Sequence, residues 1–185
     1  LMLMLVVINV PIIINGSTTI SANVTLLNET RVAGSVQVIE SGIVVLNGVG
    51  SSLNVDGNLS LATSSRMVLV IDQPSSSSAA APLKVGGCVE FGGELELQKI
   101  GNEVTSITDA SSFPFAFIIM MMHDVLMMWL VGAEYGCYNG NFSKVELIDM
   151  PCHKATPIYA SSRMQVMITL SDDSTCIGMH LMIME

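Results

Sequence analysis

Apolar and polar side chains alternate along short stretches of the chain, and a glycine recurs at a fixed place within them. The order apolar, any, Gly, any, apolar, any, apolar occurs four times in the first hundred residues, at 32–38, 55–61, 85–91 and 91–97. A period of two is that of a β-strand, and a glycine inside such a stretch marks a bend or a bulge. The pattern therefore predicts short strands joined by recurring bends.

The spacing of the central glycines suggests how these strands are arranged. Gly34, Gly57, Gly87 and Gly93 are separated by 23, 30 and 6 residues. Steps of roughly 20 to 25 residues are typical of stacked coils that tolerate insertions at their corners, and the six-residue step would be two sides of one coil. We predict an all-β chain that forms a parallel β-helix or β-solenoid with capping strands. The alternative is a β-sandwich with donor-strand exchange, in which the strands pair antiparallel.

Two segments depart from the repeat. Residues 1–14 carry no charge, and as a single strand they would extend about 46 Å. Such a strand is too apolar to face water, so we expect its own domain, or a neighbouring molecule through strand addition, to cover it. The segment lacks the basic residues and the cleavage site of a secretion signal, which is the other interpretation. Residues 15–185 are predicted to form one domain, with an exposed Ser/Ala-rich loop at 74–82.

Charge and hydropathy exclude two classes of partner. The chain has 7 basic and 16 acidic residues and a net charge of −9, so it would repel a polyanion such as nucleic acid. The most apolar later segment, 113–131, is interrupted by Pro114, His123 and Asp124, whereas a membrane span needs about 20 mostly apolar residues. We expect no membrane span in the mature chain.

Asparagines in the pattern Asn-x-Ser/Thr are N-glycosylation acceptors, and they occur more often than chance placement would give. The five candidates are Asn15, Asn23, Asn28, Asn58 and Asn141. Asn23 and Asn58 each precede an apolar residue, Val24 or Leu59, that the alternation directs into the core, so their own side chains should face solvent. N-linked glycans are expected, and no other cofactor is.

The four cysteines indicate disulfide bonds because none belongs to a Cys-x-x-Cys pair. They are Cys88, Cys137, Cys152 and Cys176. Two disulfides allow three pairings; the short loop between Cys137 and Cys152 favours that pair and would leave Cys88 with Cys176. Disulfides and glycosylation together predict a secreted protein that is extracellular or on the cell surface.

No residue is predicted to be catalytic and none to bind a metal. The acidic residues at outward positions of the repeat strands are candidates to line one face, but only Lys84 and Lys99 are nearby bases. These acidic residues are Asp56, Glu90, Glu94 and Glu96. The chain has no nucleophile elbow and no phosphate-binding loop, and the spacing of His153 and His180 matches no familiar metal site. We expect that the protein is not an enzyme.

Two parts of the chain resemble a known class of proteins. The phrase from Leu53 to Leu61, and the run from Gly140 to Cys176 through Phe142, Val145, Cys152, Tyr159 and Met164, are similar to the rungs and last coils of secreted parallel β-helix proteins. Examples are adhesin-like surface proteins of protists and the passenger domains of bacterial autotransporters. The resemblance implies a surface or adhesive role.

The features together predict a structural subunit of an extracellular glycoprotein filament or surface appendage. Open coil ends and strand edges associate unless they are blocked, so the apolar N-terminal strand and the coil ends would join subunits into a homopolymer. The alternative is a monomeric cell-surface adhesin or a carbohydrate-binding module, whose partner would be a carbohydrate or a cell surface.

Overall fold

A computed structural model of the chain describes residues 2–3, 6–47, 50–71, 81–99, 120–122, 125–150 and 152–171. These residues form β-strands joined by turns and contain no helix. The chain is therefore all-β, as the alternation predicted. Within the described ranges no helix is available that could cross a membrane.

The N-terminal half repeats a unit of three short strands. The first unit is β1 (Met2–Leu3), β2 (Val6–Ile8) and β3 (Ile12–Ile14), and the second is β4 (Thr18–Ile20), β5 (Asn23–Leu26) and β6 (Glu29–Val32). The third is β7 (Val36–Val38), β8 (Ile43–Asn47) and β9 (Ser52–Val55). The fourth begins with β10 (Leu59–Leu61) and β11 (Arg66–Ile71).

Strands of different lengths follow in the later part of the chain. They are β12 (Leu83–Phe91), β13 (Glu94–Lys99), β14 (Met120–Met122), β15 (Val125–Gly140) and β16 (Lys144–Ile148). The last two strands, β17 (His153–Tyr159) and β18 (Arg163–Leu170), form an antiparallel hairpin. β14 also pairs antiparallel with the start of β15.

Equivalent strands of successive units pair in parallel and make three rows. The first row is β1, β4, β7 and β10, the second is β2, β5, β8, β11, β13 and β16, and the third is β3, β6 and β9. β12 and β15 each pass through the third row and then the first, which joins these two rows into one 12-stranded sheet. Beyond β15 the third row continues antiparallel through β18 and β17.

The inward side chains of all three rows form one apolar core. Every apolar position of the four glycine-containing stretches is buried, with relative exposures of 0 to 4%. These positions are Val32, Val36, Val38, Val55, Leu59, Leu61, Val85, Val89, Phe91, Leu95 and Leu97. The prediction that the period of two separates core from surface is confirmed.

The recurring glycines lie at corners between rows. Gly34, Gly57 and Gly87 stack on one another where the third row turns into the first: a Cβ atom on Gly57 would lie 2.6 Å from Ser35 Oγ and 2.9 Å from the Gly34 carbonyl oxygen. Gly93, which has a positive φ of 63°, lies at the next corner, between β12 and β13. The two glycines separated by six residues therefore lie at successive corners of one unit.

The first fourteen residues do not form one long strand, so that prediction is wrong. Their described part folds into β1, β2 and β3, which pair with β4, β5 and β6. Pro11, which lies between β2 and β3, has no backbone N–H to donate to a neighbouring strand, which favours a break there. The predicted loop at 74–82 lies mostly outside the described residues.

Candidate functional site

The outward side chains of the third row line an open groove of about 1060 Å³. Its walls are strands β6, β9, β12 and β15, and the turn at residues 160–162 between β17 and β18 closes one end. We call it the third-row groove. It is lined by charged and polar groups together with the backbone of the turn.

The strand register places these groups in a line. Arg31 is the register partner of Asn54, Asn54 of Lys84, Lys84 of Glu134, and Glu134 of Arg163. Neighbouring strands are about 4.8 Å apart. The five side chains therefore form a ladder across the groove, one from each strand.

Two contacts hold the side chains in place at the end of the ladder formed by Arg31 and Asn54. The Arg31 guanidinium holds the Asp56 carboxylate through Nε at 3.1 and 3.2 Å and Nη2 at 3.0 Å. This hydrogen bond, together with the negative charge of Asp56, raises the pKa of Arg31. Asn54 Nδ2 donates to Glu29 Oε1 at 2.7 Å. Because both ion-pair partners are about half exposed, the pair orients the side chains more than it stabilises the fold.

The other end of the ladder, formed by Lys84, Glu134 and Arg163, carries charges without such partners among the described residues. Within the described part of the chain, Lys84, Glu134 and Arg163 form no ion pair, since the ion pairs found there join Arg31 to Asp56, Arg66 to Glu94 and Glu96, and Lys144 to Glu146. Two cations and one carboxylate are thus available to a ligand at this end.

Tyr135 anchors the turn that closes the groove. Its hydroxyl donates to the Ala160 carbonyl at 3.0 Å, and its backbone N–H donates to the Ser162 carbonyl at 2.9 Å. Burial, with a smaller effect of the neighbouring Tyr138 and Tyr159, raises the pKa of Tyr135 to about 12. The phenol therefore stays protonated and keeps its hydrogen bond throughout the neutral range.

An aromatic cluster covers the C-terminal end of the core. Phe91 lies 5.0 Å from Phe142 and 5.2 Å from Tyr159 between ring centroids, and Tyr138 stacks on Tyr159 at 5.7 Å. Phe142 N–H donates to the Tyr159 hydroxyl at 2.9 Å. Because Tyr159 belongs to β17, these contacts fold the hairpin over the last unit.

The candidate glycosylation sites lie at corners and strand starts. Asn15, Asn58 and Asn141 are exposed, while Asn23 and Asn28 are partly exposed. Val24 and Leu59 are buried at 1% exposure, as the alternation predicted. Asn58 Oδ1 accepts from Cys88 N–H at 2.9 Å, and Asn28 Nδ2 donates to Asn9 Oδ1 at 3.4 Å. None of the five asparagines lines the third-row groove.

The disulfide joins Cys88 to Cys137, so the pairing favoured by loop length is wrong. The two cysteines are register partners on β12 and β15, with Cα atoms 4.4 Å apart. Strand register, which the spacing along the sequence does not reveal, brings them together. Cys152 is also disulfide-bonded, and Cys176 lies outside the described residues. Among the described side chains, no group of three metal-ligating residues is found.

The acidic residues predicted to line one face are separated by the fold. Asp56 lies in the third-row groove, whereas Glu90 accepts a hydrogen bond from Ser60 in the first row. Glu94 and Glu96 pair with Arg66 in the second row. The sequence reasoning missed Glu29, Arg31, Glu134 and Arg163, although Glu29 and Arg31 flank a buried residue in an alternating stretch, which marks them as outward.

Comparison with known proteins adds no relative. The chain matches no protein-family model, no curated protein and no solved structure. A proposal about its function therefore draws on the geometry of its two ends, its rows and its groove.

Proposed function

We propose that the chain is a structural subunit of an extracellular assembly, a parallel β-helix that associates through its N-terminal unit. In this proposal each three-strand unit is one coil, and the three rows are the faces of the coil stack. The observation that carries it is the difference between the two ends. The hairpin β17–β18 and the aromatic cluster pack at one end, whereas the other end presents large exposed apolar side chains.

At the N-terminal end, β1, β2 and β3 each have a partner strand on one side only within the described residues. Val7, Val10 and Ile13 are 62 to 65% exposed. The register partners of Val7 and Ile13 in the next unit are Thr25 and Arg31, so the outer surface changes from polar to apolar at the first unit. Exposed apolar patches of this kind mark sites of association.

The partner we assign to this end is a second copy of the chain. The first charged residue is Glu29, so two copies with a net charge of −9 each would meet where neither carries charge. Association of the first unit with the same unit of a second copy would give a two-fold pair rather than an open chain. A filament, as expected from the sequence, would be built from such pairs through a further contact.

An extracellular location is supported by two features. A disulfide joins Cys88 to Cys137, and disulfides persist in oxidising compartments. Three glycosylation candidates, Asn15, Asn58 and Asn141, are exposed. Asn15 and Asn58 lie at the same kind of corner, where the third row turns into the first.

Substituting the exposed apolar residues of the first unit tests the proposal. We expect Val7→Lys and Ile13→Lys to raise the dissociation constant of the pair at least tenfold, because each would bury an unpaired charge at the contact. Sedimentation equilibrium measures this constant. Ile158→Lys is the matched control, since Ile158 is exposed on the covered end and should leave the constant unchanged.

Two results would overturn this proposal. One is a wild-type protein that stays monomeric at every accessible concentration. The other is a pair that is weakened by Ile158→Lys as much as by Ile13→Lys. Circular dichroism of each variant confirms that the comparison is made between folded proteins.

A further inference from the structure

We propose that the third-row groove binds an acidic sugar chain, an oligosaccharide that carries carboxylates among its hydroxyl groups. Lys84 and Arg163, the cations of this site that are available to a ligand, lie at least three strands away from β3 of the N-terminal unit, and binding there does not require that the chain associates. The proposal starts from the charges of the groove. Three of the chain's 7 basic residues, Arg31, Lys84 and Arg163, line it, although the chain as a whole is acidic.

The cations available to a ligand are at one end of the groove. Arg31 is already hydrogen-bonded to Asp56, whereas Lys84 and Arg163 form no ion pair among the described residues. Glu134 lies between them in the register, so the two cations are two strand spacings, roughly 10 Å, apart. This spacing suits carboxylates on successive or alternate rings of a sugar chain that crosses the strands.

Groups that recognise hydroxyls lie beside the cations. A carboxylate accepts hydrogen bonds from hydroxyl groups. Glu134 and Glu29 supply carboxylates, and Glu29 also holds the Asn54 amide, whose Oδ1 is buried and makes no hydrogen bond within the described residues. Mixed acceptors and cations fit a ligand that carries both hydroxyls and negative charge.

The same features disfavour other polymers. A nucleic acid has few hydroxyl groups to donate to the carboxylates of Glu29, Asp56 and Glu134, so its phosphates would face these carboxylates without compensating hydrogen bonds. A peptide is usually held by pockets for its side chains, but the apolar lining residues Val55 and Val85 are buried in the core at 2 and 4% exposure. The groove therefore offers a polar, open surface.

Titration calorimetry with a linear oligogalacturonate tests the proposal on the full chain. We expect binding to the wild type and at least tenfold weaker binding to Lys84→Ala and to Arg163→Ala, because each removes one cation from the ladder. Lys144→Ala is the matched control: Lys144 is an exposed lysine of the second row that pairs with Glu146, and its loss should not change the affinity. The methyl-esterified oligosaccharide of the same length should bind as weakly as the groove variants do.

The proposal is overturned if the wild type does not bind the oligogalacturonate, if the esterified and acidic forms bind equally, or if Lys144→Ala has the same effect as Arg163→Ala. Binding by Val7→Lys, a substitution in the second row whose register partner is Thr25, separates this proposal from the previous one. That variant should bind the sugar like the wild type even when it no longer pairs, so either proposal can fail without the other.

Discussion

Replacing both Cys88 and Cys137 with serine is expected to lower the free energy of unfolding by about 4 kcal/mol. The disulfide closes a loop with a sequence separation of 49 residues, and a cross-link of this length removes considerable conformational freedom from the unfolded chain. It also ties β12 to β15 at the corner where both strands pass from the third row to the first. The loss should therefore affect the groove and the covered end together.

Urea unfolding followed by circular dichroism measures this loss. Wild-type protein treated with a reductant should lose at least as much stability as the double variant, because Cys152 is bonded too. A loss below about 1 kcal/mol in the double variant would show that the disulfide is incidental to the fold.

Gly57→Ala is expected to cost about 3 kcal/mol, which is large for the addition of one methyl group. The added carbon would lie 2.6 Å from Ser35 Oγ and 2.9 Å from the Gly34 carbonyl carbon and oxygen. Backbone atoms cannot move aside as a flexible side chain does. The backbone at the neighbouring corners, at Gly34 and Gly87, would therefore have to shift as well.

Gly50→Ala is the matched control for this experiment. Gly50 has a φ of 86°, and no described atom outside its chain neighbours lies within 4 Å of an added Cβ. Its substitution should cost only the conformational penalty of about 1 kcal/mol. Equal losses of stability in the two variants would mean that the stacked glycines Gly34, Gly57 and Gly87 are not tightly packed.

The alternation of apolar and polar residues was sufficient to predict that the chain is all-β and which side chains of the glycine-containing stretches are buried. Val36, Leu59, Val89 and Leu95 are inward because the period of two fixes the face of each strand, whichever partner it has. The glycine positions predicted bends, and Gly34 and Gly57 do turn the chain from one row to the next. These features depend on local sequence, which is why they could be read from it.

The first fourteen residues show where local sequence misleads. They are almost wholly apolar, and composition alone suggested one long strand. The turn at residues 9–11 instead divides them, so that Val6 and Ile8 pair with Val24 and Leu26. Whether these residues form one long strand or three short ones depends on their pairing with the next unit. A pattern within residues 1–14 carries no information about that pairing.

Predicting the groove and the disulfide would have required knowledge of the strand register. Lys84 and Glu134 are fifty residues apart in sequence and lie opposite each other on β12 and β15. The same pairing brings Cys88 to Cys137. Sequence spacing suggested Cys137 and Cys152 because it measures distance along the chain, whereas stacking brings together residues that are far apart along it.

The stacking of successive units in parallel register underlies the assembly surface, the groove and the glycine corners, and a cysteine pair tests it directly. Thr19, Gln37 and Ser60 are register partners on three consecutive strands of the first row. Cα atoms about 4.8 Å apart can be joined by a disulfide, whereas those roughly 10 Å apart cannot.

Mass spectrometry of non-reduced peptides from the variants Gln37→Cys with Ser60→Cys, and Thr19→Cys with Ser60→Cys, is the decisive measurement. We expect a disulfide between positions 37 and 60 and none between 19 and 60. A linkage between 19 and 60, or the absence of one between 37 and 60, would contradict the parallel stack.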